Sequence, residues 1–149
     1  MNTIDSKVND QLGAGAQVFF GPAAIKSIYN QTLEAKSLDI VCLSENYAKV
    51  IGSFFDQEYA PKLFGSKTKT REILPDNSIN RADAVKKDGV KNAVRFIKVA
   101  TSSESDYMLY NNTVVLISYN PDSPFAVVIT DKDIVANLKN QFEVLWKKL

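Results

Sequence analysis

The 149-residue chain has the composition of an ordinary globular protein, with 45% hydrophobic residues, 23% charged residues and a net charge of +1. It contains no histidine and a single cysteine, Cys42, which excludes an internal disulfide and a Ser-His-Asp mechanism within the chain. No apolar run approaches the ~18 residues of a membrane helix, and the N-terminal residues are too polar for a signal peptide. We therefore expect a cytoplasmic protein with no membrane partner.

The first two thirds of the chain predict alternating strands and helices. In order, the patterns indicate a flexible polar leader over residues 1–15, strands over 16–20, 38–43, 68–74 and 94–99, and helices starting at Gly21-Pro22 and spanning 47–63 and 78–87. The helix over 47–63 should turn Val50, Ile51, Phe54, Phe55 and Tyr59 inward, and Pro61 should end or kink it. Cys42 lies in the apolar second strand and is expected to be a buried thiol.

The last third predicts a three-strand meander closed by a helix. The strands cover residues 107–110, 113–119 and 125–129, and Asn111-Asn112 between the first two suits a tight hairpin turn. Asp131 or Thr130 should cap the final helix, whose apolar residues repeat at helical spacing: Ile134, Val135, Leu138, Phe142, Leu145, Trp146 and Leu149.

The whole order, β-α-β-α-β-α-β-β-β-β-α, predicts one α/β domain over residues 16–149. Alternation in the early part implies parallel strands joined by crossovers, whereas the late part is antiparallel. We therefore expect a mixed parallel and antiparallel sheet with helices on both faces.

Positive charge is concentrated in the middle of the chain. Residues 62–98 hold ten Lys or Arg against four Asp or Glu, a local charge of +6, while the remainder carries −5. Lys67, Lys69 and Arg71 alternate along one predicted strand, which favours either an anion or nucleic-acid surface or an edge strand protected by charge. For the basic segment as a whole, a solvated face is favoured over an anion site.

Other sites are weakly indicated. Scattered carboxylates with no histidine argue against a zinc site, whereas Mg²⁺, which needs only one or two carboxylates, is neither indicated nor excluded. No nucleotide-binding glycine pattern is present, and we expect no cofactor. In each of the pairs Phe19-Phe20 and Phe54-Phe55, one ring should enter the core and the other could drive self-association. We expect a homodimer.

Three segments together resemble a known family. They are residues 19–29 (FFGPAAIKSIY), residues 71–76 (REILPD), and the C-terminal series NNTVVLIS, FAVVITDKDIV and FEVLW. In order and spacing they are similar to the phospholipase-D-like effector domain of TrmB-like transcriptional regulators, over nearly the whole chain from Ala16 to Leu149. The resemblance implies a phospholipase-D-like fold and a role in transcription regulation. It also implies a DNA-binding partner or an upstream winged helix, since the roughly 15 residues before the first strand are too few to form a winged helix.

The catalytic motif of the wider phospholipase D superfamily, H-x-K-x-x-x-x-D, is not matched. Aligning its aspartate with Asn111 puts Glu104 at the histidine position and Asp106 at the lysine position. A carboxylate replaces both the nucleophile and the phosphate-binding cation, so the site would repel a phosphodiester. The resemblance therefore implies the scaffold without the reaction, and we expect no enzyme activity.

These observations favour a non-catalytic effector and dimerisation domain that senses a small molecule or bridges subunits. A ligand is expected where the parallel strands end, near six polar residues: Ser44, Glu45, Asp76, Asn77, Glu104 and Asp106. The alternatives are a nucleic-acid-binding domain using the basic segment, a degenerate metal-dependent nuclease or phosphodiesterase using Glu104 and Asp106, and a purely structural dimer module.

Overall fold

The computed structural model of the chain describes residues 15–149, so all but the last residue of the predicted leader lies outside the described residues. The strands are β1 (Ala16–Phe20), β2 (Ser37–Cys42), β3 (Lys69–Pro75), β4 (Asn92–Ile97), β5 (Ser105–Tyr110), β6 (Thr113–Ser118) and β7 (Phe125–Ile129). The helices are α1 (Pro22–Thr32), α2 (Ala48–Ile51), a π-helix (Phe55–Tyr59), α3 (Ala60–Gly65), α4 (Ser78–Ala84) and α5 (Lys132–Lys148). None of the helices in this part of the chain is long and apolar enough to cross a membrane.

All seven strands form one mixed sheet in the order β1-β7-β6-β5-β2-β3-β4. β2, β3 and β4 are parallel neighbours, and every other pairing is antiparallel. The meander β5-β6-β7 therefore lies between β1 and the parallel strands that follow β1 in the sequence. The predicted mixed α/β sheet is confirmed, and the apolar strands β2 and β6 are central, as their sequences predicted.

Helices cover both faces of the sheet, as expected. On one face, α1 and the segment from α2 to α3 pack over a core that includes Ile25, Tyr59, Leu63 and Met108. On the other face, α5 packs with Val135, Phe142 and Trp146 against central strands. The buried stripe of α5 is narrower than its apolar sequence suggested, because Ile134 and Leu149 remain 46% and 41% exposed.

Two local predictions in the C-terminal third are confirmed. Asn111 takes φ +52° in the turn that joins β5 to β6, where a short polar side chain tolerates a left-handed backbone. Asp131 caps α5, since its carboxylate accepts a hydrogen bond from the Ile134 backbone N–H at 2.9 Å.

Three predictions were wrong in detail. The helix over 47–63 is divided at Gly52, whose φ of +60° ends α2, and it resumes as the π-helix and α3. Pro61 does not end the helical segment, because it lies in the first turn of α3, where a missing N–H costs little. Phe19 and Phe20 are 37% and 64% exposed, so neither ring of this pair is buried: β1 is an edge strand.

Candidate functional site

A cleft of about 460 Å³ opens where β2 and β3 end. One wall is the segment that contains Tyr47, Phe55 and Asp56, and the other is α4 with the residues after it. α4 has no buried residue, so no side chain of this helix enters the core. Of the six residues that the sequence suggested as ligand contacts, Ser44, Glu45 and Asn77 line this cleft. Asp76, Glu104 and Asp106 do not line it, although all lie near the same edge of the sheet.

Asp106 lies beneath the cleft and is only 3% exposed. Its carboxylate accepts hydrogen bonds from the backbone N–H of Ser44 at 2.9 Å and from the Ser44 hydroxyl at 2.8 Å. Cys42 donates its thiol proton to the same carboxylate at 3.3 Å. Burial raises the pKa of Asp106, and the hydrogen bonds from Ser44 partly oppose that rise. This carboxylate therefore fixes the loop that forms one side of the cleft.

Glu104 fixes the same loop at Asn46, two residues after Ser44. Its carboxylate accepts hydrogen bonds from the Asn46 backbone N–H at 3.1 Å and from the Asn46 side-chain amide at 2.9 Å. The two acidic residues at the start of β5 thus share one structural task, which is to tie the loop after β2 to the neighbouring strand. No group of three or more His, Cys, Asp or Glu within residues 15–149 has the arrangement of a metal site.

Cys42 is poorly suited to nucleophilic chemistry. Burial, followed by the negative charge of Asp106, raises the pKa of its thiol well above the ordinary value. Because the thiolate is the reactive form of cysteine, the thiol stays protonated and unreactive near neutral pH.

Asp76 and Asn77 begin the segment that becomes α4. The Asn77 side chain accepts a hydrogen bond from the Asn80 backbone N–H at 2.8 Å and caps the helix. Asp76 forms an exposed ion pair with Arg81 at 2.6 Å, and that hydrogen-bonded guanidinium lowers the pKa of the Asp76 carboxyl. Both side chains therefore stabilise the first turn of α4 locally.

The floor of the cleft contains an ion pair that sequence reasoning missed. Glu72 on β3 is 3% exposed, and its carboxylate lies 2.6 Å from the Lys87 ammonium. The Lys87 ammonium also lies over the Phe64 ring, 4.5 Å from the ring centroid. Burial raises the pKa of Glu72 although Lys87 acts to lower it. The sequence did hold a signal for this buried charge, because Glu72 is an acidic residue on a strand of a sheet predicted to carry helices on both faces.

The rim of the cleft is predominantly acidic. Glu45, Asp56 and Asp83 line it. Asp83 pairs with the exposed Lys86 at 3.6 Å, and the one cation in the lining, Lys87, is bound to Glu72. Tyr47 donates its hydroxyl to Asp56 at 3.0 Å, and burial together with that carboxylate raises the pKa of Tyr47. The cleft therefore offers carboxylate acceptors beside aromatic surface, which suits an uncharged polar or cationic molecule and disfavours a phosphate.

The three basic residues proposed as an anion surface have different environments. Lys67 and Lys69 are exposed, but the Arg71 guanidinium forms hydrogen bonds with the carboxylates of both Asp39, at 2.7 and 2.8 Å, and Glu143, at 2.5 and 3.2 Å. The alternative reading of a charged edge strand was wrong, because β3 lies between β2 and β4. An anion surface centred on Lys67 and Lys69 remains a prediction.

No protein-family model matches the chain, and no curated protein sequence matches it. Solved structures do share its architecture. NucT from Helicobacter pylori superposes with a TM-score of 0.55 at 13% identity over 89% of this chain and 95% of NucT. Polyphosphate kinase from Porphyromonas gingivalis superposes with a TM-score of 0.56 at 9% identity over 93% of this chain and 27% of the kinase. Both have phospholipase-D-like folds.

This chain has a phospholipase-D-like fold. TrmBL2, described as an archaeal chromatin protein with a novel mode of DNA binding, shares it with a TM-score of 0.58 at 17% identity over 97% of this chain. The chain spans about 60% of the length of TrmBL2. At these low sequence identities, the similarity to the three solved structures shows a shared fold. Within this fold, the cleft of the present chain lies where the parallel strands end.

Proposed function

We propose that the chain is a non-catalytic effector domain, similar to those of TrmB-like regulators, which senses an uncharged polar or cationic small molecule in the cleft. The observation that carries the proposal is the cleft itself, which lies between a wall fixed by Asp106 and Glu104 and a wall, α4, without buried residues. In this proposal the α4 wall, which places no side chain in the core, shifts relative to the fixed wall, and the ligand favours one of the two arrangements. A ligand shifts such an equilibrium only by its difference in affinity for the two states.

The same contacts argue against phosphodiester chemistry. At the two motif positions, Asp106 is buried beneath Ser44, and the carboxylate of Glu104 is already hydrogen-bonded to Asn46, so both groups serve the loop after β2. The protonated thiol of Cys42 adds no nucleophile, and the acidic rim would repel a phosphate. Sequence-specific contact with DNA would then be the task of another domain or subunit, to which this domain passes its ligand state.

The direct test is thermal unfolding of the full chain with a panel of neutral sugars, amino-containing metabolites and phosphorylated metabolites. A ligand at 100 times its dissociation constant stabilises the folded state by about 2.7 kcal/mol, which raises the Tm of a domain of this size by roughly 5–10 °C. We expect a concentration-dependent shift with a neutral or cationic compound. A flat panel would contradict the sensing role, and a shift confined to phosphorylated compounds would contradict the charge argument.

A pair of matched variants locates the binding site. Asp56→Asn removes one negative charge from the cleft, whereas Glu58→Gln removes one from an exposed position in the same π-helix that does not line the cleft. For a cationic ligand, Asp56→Asn should weaken binding about tenfold, the loss expected for about 1.4 kcal/mol. Equal effects of the two variants would place the ligand elsewhere.

Catalysis is tested separately, with a phosphodiester substrate and Mg²⁺ or Mn²⁺. We expect no turnover by the purified chain. Turnover that disappears in Asp106→Ala and persists in the control variant Glu58→Gln would refute the non-catalytic assignment, because it would require the buried carboxylate to reach a substrate.

A further inference from the structure

β1 forms one edge of the sheet and lacks the charge and the proline that commonly protect an edge strand. Its sequence, AQVFF, contains no charge and no proline, and among residues 15–149 it pairs with β7 on one side only. Phe20 is 64% exposed beside the ring of Phe125, with 6.5 Å between the ring centroids. A free, uncharged and aromatic edge strand is a template for pairing with another strand.

The opposite edge, β4, is built differently. Arg95 lies within β4 and its guanidinium packs 4.4 Å from the centroid of the Trp146 ring. Arg81 packs 4.4 Å from the centroid of the Phe96 ring, and Lys98 follows the strand. Positive charge along an edge opposes pairing with a second copy of the same strand. Edge pairing between copies is therefore favoured at β1 and opposed at β4.

The hydrogen bonds to β7 determine which groups of β1 are available. Gly21 N–H donates to the Pro124 carbonyl at 2.9 Å, and Thr130 N–H donates to the Gly15 carbonyl at 2.8 Å. In an antiparallel ladder the hydrogen-bonded residues alternate, so odd-numbered residues of β1 bond to β7. The N–H and C=O groups of Ala16, Val18 and Phe20 consequently point away from the sheet.

This spacing is self-complementary about Val18. When two copies of β1 lie antiparallel around a two-fold axis, Val18 pairs with Val18 of the second copy. Ala16 of each copy then pairs with Phe20 of the other, which gives three pairs. Each of the three pairs can exchange two backbone hydrogen bonds. Identical patches facing each other across a two-fold axis form the isologous interface typical of homodimers.

We infer that the chain forms a homodimer in which β1 pairs antiparallel with β1 of a second copy, which joins the two sheets. Five residues extend only about 17 Å, so the contact is small, and its dissociation constant falls in roughly the micromolar range. The inference extends the proposed function but stands independently of what the cleft binds. A monomeric chain that binds a ligand would overturn the dimer and leave the sensing role intact.

The test is sedimentation equilibrium of the full chain from about 5 to about 500 μM, a range that spans micromolar association. The wild-type chain should shift from monomer to dimer with concentration, and Phe20→Lys should raise the dissociation constant at least tenfold. The control, Val90→Lys, places the same charge at a valine that is 94% exposed outside β1, and should leave association unchanged. Circular dichroism verifies that both variants are folded.

A cysteine at the two-fold axis tests the register. In a hydrogen-bonded antiparallel pair the Cα atoms lie about 5.5 Å apart, within the range of a disulfide. Val18→Cys combined with Cys42→Ser should therefore form a covalent dimer on mild oxidation. A monomer at every concentration overturns the inference. A dimer that Phe20→Lys does not weaken overturns it as well.

Discussion

The buried ion pair between Glu72 and Lys87 provides the sharpest test of the structure. The side chains are only 4% and 16% exposed, with 2.6 Å between the carboxylate and the ammonium. Lys87→Met roughly keeps the length of the side chain but removes the ammonium, which leaves Glu72 without a cation. Removing one partner of a buried pair costs about 3–5 kcal/mol, and because Lys87 retains some exposure we expect about 3 kcal/mol, or roughly 6–12 °C in Tm.

The loss should depend on pH. Burial raises the pKa of Glu72 above that of the unfolded chain, so the folded state holds this proton more tightly and becomes less stable as the pH rises from the unfolded towards the folded pKa. Lys87→Met removes the charge that lowers the pKa of Glu72. The pH range over which the folded state loses stability therefore extends to higher pH. We therefore expect the variant to lose more stability at pH 8 than at pH 5, where protonation of Glu72 relieves the unpaired charge.

Urea unfolding followed by circular dichroism at both pH values measures these differences. Lys86→Met is the matched control, because the neighbouring Lys86 side chain is 77% exposed and its pair with Asp83 spans 3.6 Å; we expect a change within about 0.5 kcal/mol. A loss of unfolding free energy below about 1 kcal/mol in Lys87→Met would contradict a buried ion pair at this position. A loss of the same size at pH 5 and pH 8 would contradict it as well.

Three further changes test contacts around the site and the closing helix, each by urea unfolding at neutral pH. Ser44→Ala removes the hydroxyl that donates to Asp106 at 2.8 Å and should cost about 1.5–3 kcal/mol; a neutral result would mean that the carboxylate does not fix the loop. Asp131→Ala removes the cap of α5 and should cost about 1 kcal/mol, which Asp131→Asn should largely restore. Arg71→Lys loses the forked bonds to two carboxylates and should cost about 1 kcal/mol, reduced by the partial exposure of the side chain; an unchanged midpoint would show that the network adds no stability.

Prediction from sequence succeeded where the signal is local. The alternation of apolar strands and helices gave the mixed sheet, and the asparagine pair gave the position of the hairpin, where Asn111 takes a positive φ. Asp131 was one of two candidate caps, and the structure selects it. These features depend on side chains that interact with their own backbone within a few residues.

Prediction was weaker where the outcome depends on distant partners. The loop after β2 was recognised as a candidate site, but its attachment to Asp106 and Glu104 joins residues about 60 positions apart. The division of the helix at Gly52 was missed because a single glycine within a helical pattern is tolerated in many proteins.

The sequence by itself determined the class of fold, the central strands and the two ends of the meander, since hydrophobic periodicity and turn chemistry are written in neighbouring residues. Tertiary structure alone decided that β3 lies inside the sheet, that Arg71 is bound by two carboxylates, and that Glu72 is buried against Lys87. Which strands become neighbours depends on the packing of the whole chain. Whether a charged side chain is exposed to solvent or paired with an opposite charge therefore depends on which strands and helices lie beside it.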